Sequence, residues 1–444
     1  MKKRVALILS NLVSFVTLTV LNPIGVHANP PTPNWTCTNV WLTGSGTDLS
    51  SQIDAAMSTE TDQNHAVCIY LPQGTSYIDR SVMQKPGTAF VGWGYDGTSA
   101  GTTIVPCTVA TCGTGKSFNG SPTWTMFAET GPCNSGPTCR LLQNFRISGN
   151  HVPLYLANGN HQRFENMYLT GVGTNQGYQF NCLTTYPAPQ YACGMAIGLN
   201  APGMDLRDSW IDYNDWGGGI YLDPGPGAID GSLGVDLAPI NMVNTEIAFN
   251  AFRAIDSNQV SGRQTSDITL TSMNIHDNSN TDTAVNLYES SYWFIQGSTI
   301  KQASTTIPAD RYHPYCSGPV SGEEGPGTTM TSAVRICQDG GFFSQNQNGP
   351  AEPPVTDNPD RGLEANAENN RIAYSTIVGG YGILNIGGDD IKWWFAYANA
   401  PRGNSYDHND VFGSNIGCSD DYDTGSAGAL NIYTGTNCGG NPVY

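Results

Sequence analysis

From Cys68 onward the chain alternates short apolar runs with Asn, Gly and Asp, as in CIYLPQGTSYI, TAFVGWG, LLQNFRISGN and RFENMYLTGVG. Apolar residues at every second position, bounded by turn formers, are the pattern of short β-strands. Ahead of them, Leu49, Ile53 and Met57 recur at i, i+4 and i+8 behind a Thr/Asp start, which predicts a short amphipathic helix over Thr47–Met57 acting as a lid on one end of the fold.

Several of the strand runs superimpose. Ile211 is followed three positions on by Asn214, Ile247 by Asn250 and Ile275 by Asn278, and each is followed by a second apolar run around Ile220, Ile255 and Val285. Ser298 to Ile300, Ser375 to Ile377 and Asn409 to Val411 continue the theme. Ile211, Ile247, Ile275 and Ile300 lie 36, 28 and 25 residues apart. A repeat of that length, with two or more short strands and a stacked Asn, describes a solenoid whose coils bury their apolar face only against their neighbours. A propeller would need a regular four-stranded blade signature, and a sandwich of this length would be two domains. Neither a blade signature nor a linker after Pro33 is present. The loop Pro224–Pro239 and the irregular stretch near 305–370 read as insertions on a single domain spanning 47–444.

Composition narrows the partners. With 19 Lys+Arg against 37 Asp+Glu the formal charge is −18, so nucleic acid and polyanionic ligands are disfavoured. Lys2, Lys3 and Arg4 precede the apolar run Val5–Leu21, and Val26-His27-Ala28 places small residues at −3 and −1, the layout of a secretory signal peptide over 1–28 with cleavage after Ala28. Residues 29–46 form a leader, no later segment is apolar enough to span a membrane, and the mature chain is expected to be secreted, extracellular or periplasmic, and monomeric. The 12 Cys fall in near-neighbour pairs: Cys107/Cys112, Cys133/Cys139, Cys182/Cys193, Cys316/Cys337 and Cys418/Cys438, leaving Cys37 with Cys68. Zinc would need tighter Cys/His spacing.

The entry segment Ile69–Ile78, the helix before it and the Asn-bearing coils resemble the pectin-lyase-like superfamily of right-handed parallel β-helices over most of residues 47–420. That resemblance implies an all-β, right-handed parallel β-helix with an N-terminal capping helix, and a protein that cleaves extracellular polysaccharide by hydrolysis or β-elimination. The polygalacturonase motifs are not matched: Asn280-Thr281-Asp282 and Gly388-Asp389-Asp390 are far apart and no Gly-His-Gly occurs.

If Ile211, Ile247, Ile275 and Ile300 point inward, their neighbours form two outward columns: Trp210, Glu246, Asn274, Thr299, and Asp212, Ala248, His276, Lys301. Asp215 and Trp216 fall at the adjacent turn, and Asp223 and Asp256 on the next sheet. The candidate catalytic set is therefore Asp212, Asp215 and Glu246, with Trp210, Tyr213, Trp216, His276 and Lys301 as substrate-binding residues. Glycoside hydrolysis needs two carboxyl groups across one bond, one kept protonated. Asp212 and Glu246 lie in adjacent coils and in columns two residues apart, which places their Cβ atoms roughly 8 Å apart, the separation that fits inversion. The plainer reading makes these carboxylates a solvated acidic face, with Asn214, Asn250 and Asn278 a structural ladder. His276 and Lys301 also fit a lyase that removes a proton α to a uronate carboxylate, although so acidic a chain supplies few cations for it. A non-catalytic glycan-binding or adhesin solenoid is the third alternative. No metal or cofactor is expected; calcium would have to use Asp420-Asp421-Tyr422-Asp423 or Asp389-Asp390, and neither matches a known loop.

Overall fold

A computed structural model describes residues 36–58, 66–95, 100–119, 125–131, 139–149, 154–157, 162–172, 196–199, 203–214, 218–222, 239–251, 253–257, 268–278, 283–288, 290, 292–302, 332–338, 369–387, 404–422 and 432–439. The proposed signal peptide, most of both insertions, Asp215, Trp216, Asp223, Asp389 and Asp390 lie outside them.

Strands stack in coils. One ladder is a 12-stranded parallel sheet that begins Thr38–Trp41, Val67–Tyr70, Thr88–Val91 and ends Arg371–Ala373, Ser405–Asp407, Ile432–Thr434. A second ladder runs Arg146–Ser148, Tyr168–Thr170, Trp210–Asp212, Glu246–Ala248, Asn274–Asn278, Thr299–Gln302 and Thr376–Gly387. A third runs Tyr155–Ala157, Ile197–Leu199, Ile220–Leu222, Ile255–Ser257, Thr283–Tyr288 and Ser332–Gln338. Each coil visits the three ladders in turn, and every pairing in them is parallel, which is a parallel β-helix.

The core explains why. Leu206, Ile211, Ile220, Ile240, Ile247, Ile255, Ile268, Ile275 and Ile300 are all fully buried in one apolar cluster that runs from Leu42 to Cys418. Each sits at an inward position of its strand and is in register with a buried apolar residue one coil away, as in Ile211↔Ile247 and Ile247↔Ile275. A short strand with one or two such residues is unstable alone, and stacking supplies the missing face.

The helix is Ser50–Ser58, starting three residues later than the periodicity predicts. Leu49, Ile53, Ala56 and Met57 are buried in the same core, and Asp48 accepts the Ser50 amide at the helix start. Three expected disulfides are present, Cys37–Cys68, Cys107–Cys112 and Cys418–Cys438, spanning 31, 5 and 20 residues. The other three pairs involve residues outside the described ones.

Candidate active site

The second ladder places Trp210 in register with Glu246 and Asn274, and Asp212 with Ala248 and His276. The next position of each coil is a turn residue in the left-handed region: Tyr213 at φ 56, Phe249 at φ 53 and Asp277 at φ 50. The residue after that is the expected Asn. Asn214 donates to Asn250 Oδ1 (2.7 Å) and Asn250 to Asn278 Oδ1 (2.9 Å), while Asn250 and Asn278 also donate to the Ile211 and Ile247 carbonyls (2.9 Å each). All three Asn side chains are fully buried. The ladder satisfies the carbonyls that the turn frees and fixes the direction in which the preceding residues project.

Asp212 differs from expectation. Its register is outward, yet it is only 5% exposed. Its partner in the next coil is Ala248, too small to hold it off, and the carboxylate accepts the Ala248 amide at 3.0 Å. Burial, then the charge of Glu246, push its pKa from the ordinary 3.8 to about 7, against the opposing pull of that amide bond and of His276. Glu246 is more open, its side chain 31% exposed. Asn274 Nδ2 donates to its Oε2 at 2.9 Å and His276 Nε2 lies 3.7 Å from the same oxygen, while His276 Nδ1 pairs with Asp277 Oδ2 at 2.8 Å. The two carboxyl groups therefore differ in environment while sharing one patch. Tyr168, one coil before Trp210, has its hydroxyl pKa raised by burial and then by the charge of Asp212, and Arg146 lies over its ring at 4.9 Å.

Tyr213 and Phe249 are 53% and 40% exposed and stack 4.9 Å apart at 9°. His276 meets the Phe249 ring edge-to-face at 5.5 Å. Before Tyr213 the same turn position is Gly171, whose amide donates to the Tyr213 carbonyl and which has no side chain of its own to set against the Tyr213 ring. Phe249 was not singled out by composition, although its place immediately before a ladder Asn is the same signal that marks Tyr213. Trp210 is half-buried, and Tyr95 lies 4.6 Å from it, so part of its ring is already covered.

Trp210, Asp212, Tyr213, Glu246 and His276 thus meet on one surface, while Asp215 and Trp216 lie outside the described residues. Lys301 faces His276 and Asp277 together rather than His276 one to one. Asn274–Asn278 carries an extra residue between Ile275 and Asn278, which shifts the register, and Lys301 is exposed opposite Val378. Asp256 does not project from the third ladder as a free acid: it is buried, bonded to Arg253 (2.8 Å) and to Asn286 (2.9 Å), which in turn accepts from Arg335 (3.0 Å). Among the described residues no group of three or more His, Cys, Asp or Glu is arranged to hold a metal ion. Of the calcium candidates, Asp423 and Asp389-Asp390 lie outside the described residues, and the side chains of Asp420 and Asp421 are not described.

No family model and no curated protein matches the chain. Among solved structures it is similar to the Azotobacter vinelandii mannuronan C-5 epimerase AlgE4 A-module, at 14% identity over 90% of this chain and 97% of that one with a TM-score of 0.42. It is also similar to the catalytic domain of GH87 alpha-1,3-glucanase in complex with nigerose, at 11% identity over 92% and 70% with a TM-score of 0.40. A third is Dettilon tailspike protein, at 10% over 91% and 68% with a TM-score of 0.41.

Proposed function

We propose that this chain is a carbohydrate-active enzyme that hydrolyses glycosidic bonds of a neutral or weakly charged polysaccharide with inversion. The observation that supports the reading is the split between Asp212 and Glu246. A buried carboxyl group with a pKa of about 7 keeps its proton near neutrality and serves as general acid, protonating the leaving oxygen. Glu246, more exposed and oriented by Asn274, serves as base: it takes a proton from the water that attacks the anomeric carbon on the opposite face. The register diagonal of Trp210↔Glu246 and Asp212↔Ala248 corresponds to a Cβ separation of roughly 8 Å, which leaves room for that water. Tyr213 and Phe249 offer ring surface beside the carboxyl pair for the apolar side of a sugar.

Secretion belongs to the same proposal, supported by local disulfides that persist in an oxidising compartment. β-Elimination is the less favoured reading, because a chain with 19 Lys+Arg against 37 Asp+Glu supplies few cations to neutralise a uronate carboxylate. The test is a glycan panel scored for new reducing ends and for the ultraviolet absorbance of unsaturated products. Hydrolysis gives ends without absorbance, and Asp212→Asn and Glu246→Gln should each remove most of it. Absorbance would mean a lyase, and neither signal a binding module. Proton NMR of the first-formed product should show the inverted anomer, and a retained one would mean that the wrong carboxylates have been paired.

A further inference from the structure

A left-handed turn joins the first ladder to the second in coil after coil. It is held by Asn144, Asn166, Asp208, Asn244 and Ser272, then by Gly297, Tyr374, His408 and Gly435, with φ between 48 and 66 throughout. The amides confirm the stacking order: Ser272 donates to Gln296, Gly297 to Ala373, Tyr374 to Asp407 and His408 to Thr434. Polar, αL-tolerant residues are what this turn favours, so an exposed aromatic pair in it costs conformational energy without gaining a core contact.

Tyr374 is 58% exposed and stacks on His408, whose side chain is 57% exposed, at 5.5 Å and 14°. The stack has one closed and one open end. Beyond His408, a Cβ on Gly435 would come within 3.0 Å of the imidazole, so that backbone packs directly against the ring. Beyond Tyr374, a Cβ on Gly297 would meet nothing nearer than Ser272 Oγ at 3.9 Å. One ring face is therefore held rigidly toward a step that carries no side chain. On the strands that lead into these turns, Arg371 pairs with Asp407 at 3.1 Å and lies over the Phe294 ring at 5.2 Å, and His408 Nδ1 is bonded to Asp407. A flat, exposed aromatic face with a charged donor and acceptor pair on the adjoining strands matches a pyranose, with its apolar C–H face and equatorial hydroxyls. A nucleobase on a phosphate backbone is opposed by the chain's charge of −18.

We infer that Tyr374, supported by His408, is a second glycan-binding position, separate from the Asp212/Glu246 patch, on which a sugar residue of the polymer stacks above Gly297. Thr376, two residues after Tyr374, shares the column of Glu246 three coils away, so the two positions are roughly 14 Å apart along the axis. The inference rests on the proposed function for the ligand class alone and needs neither catalytic assignment.

The test is affinity electrophoresis of the full chain through gels containing soluble neutral α-glucan, β-glucan, galactomannan or polygalacturonate, alongside turnover of short oligosaccharides. Retardation of the wild type in at least one neutral gel is expected, weakened about tenfold by Tyr374→Ala, with oligosaccharide turnover unchanged. Gly297→Asn is the fold-neutral companion, since Asn144, Asn166 and Asn244 already occupy this turn; its side chain would stand over the Tyr374 face and weaken retardation in the same way. No retardation in any gel, or equal retardation of wild type and both variants, overturns the inference. A failure of the Asp212/Glu246 assignment shows instead as persistent hydrolysis by Asp212→Asn, with retardation unaffected.

Discussion

Replacing Asp212 by Asn should make the protein's stability respond differently to pH, in a way that isolates the buried carboxyl group. In the folded chain that group titrates at about 7 rather than 3.8. Below pH ~4 it is protonated whether the chain is folded or not, and contributes nothing to the pH dependence. Between ~4 and ~7 the unfolded chain gives up the proton and the folded chain keeps it, so the folded state loses about 1.4 kcal/mol per pH unit. Above about 7 both forms are ionised and the loss saturates. Three units give about 4 kcal/mol. For 444 residues unfolding with ~2.1 cal/mol/K each, that is about 4 °C. The gap in Tm between Asp212→Asn and wild type, followed by calorimetry at pH 4, 5.5, 7 and 8, should therefore widen in the variant's favour by about 4 °C from pH 4 to 7 and then level off. Glu246→Gln should move the onset of levelling to lower pH, because the Glu246 charge is the second cause of the shift. Parallel Tm curves for wild type and Asp212→Asn across this range would refute the buried, proton-retaining Asp212 and with it the general acid. In hydrolysis assays the same group should produce a fall in kcat/KM as pH rises through about 7.

Asn250→Ala should destabilise by about 2–5 kcal/mol in urea unfolding, since it strands the Ile211 carbonyl and the Asn214 amide inside the core. Gly219→Ala should cost about 1–3 kcal/mol in the same assay, because its Cβ would fall 2.4 Å from the Ala254 carbonyl oxygen and 2.6 Å from Ile247 Cγ2. Peptide mapping without reductant should recover Cys182 joined to Cys193 and Cys316 to Cys337; a bridge between distant thirds of the chain would contradict stacked coils.

The coil lattice was legible because its signal repeats. Ile211, Ile247 and Ile275 with an Asn three positions later are enough to set register, and register alone places Trp210 beside Glu246 and Asp212 beside Ala248. What escaped depends on atoms that periodicity does not see. The extra residue in Asn274–Asn278 leaves the alternation looking intact while setting both His276 and Asp277 against Lys301. The burial of Asp212 follows from a small neighbour and a free amide, not from its own pattern. The Arg253–Asp256–Asn286–Arg335 network sits on outward positions that alternation assigns to solvent. Tyr374 and His408 are separated by a long irregular stretch from the coils that define their turn, so no repeat points to them.

The positions of two disulfides change what kind of object the solenoid is. Cys37 adjoins the first strand of the 12-stranded sheet and Cys68 lies in the second, while Cys418 lies in Asp410–Tyr422, the strand that pairs with Thr376–Gly387, and Cys438 in Asn437–Gly439, which pairs with it one coil further on. A linear stack ordinarily comes apart like a zipper, from whichever end slides open first, because a terminal rung has a neighbour on one side only. Here both sliders are riveted. Opening has to begin at an interior rung, where two neighbours must be released together, and the barrier to that event, more than the equilibrium balance, would set how long the protein survives heat and proteases.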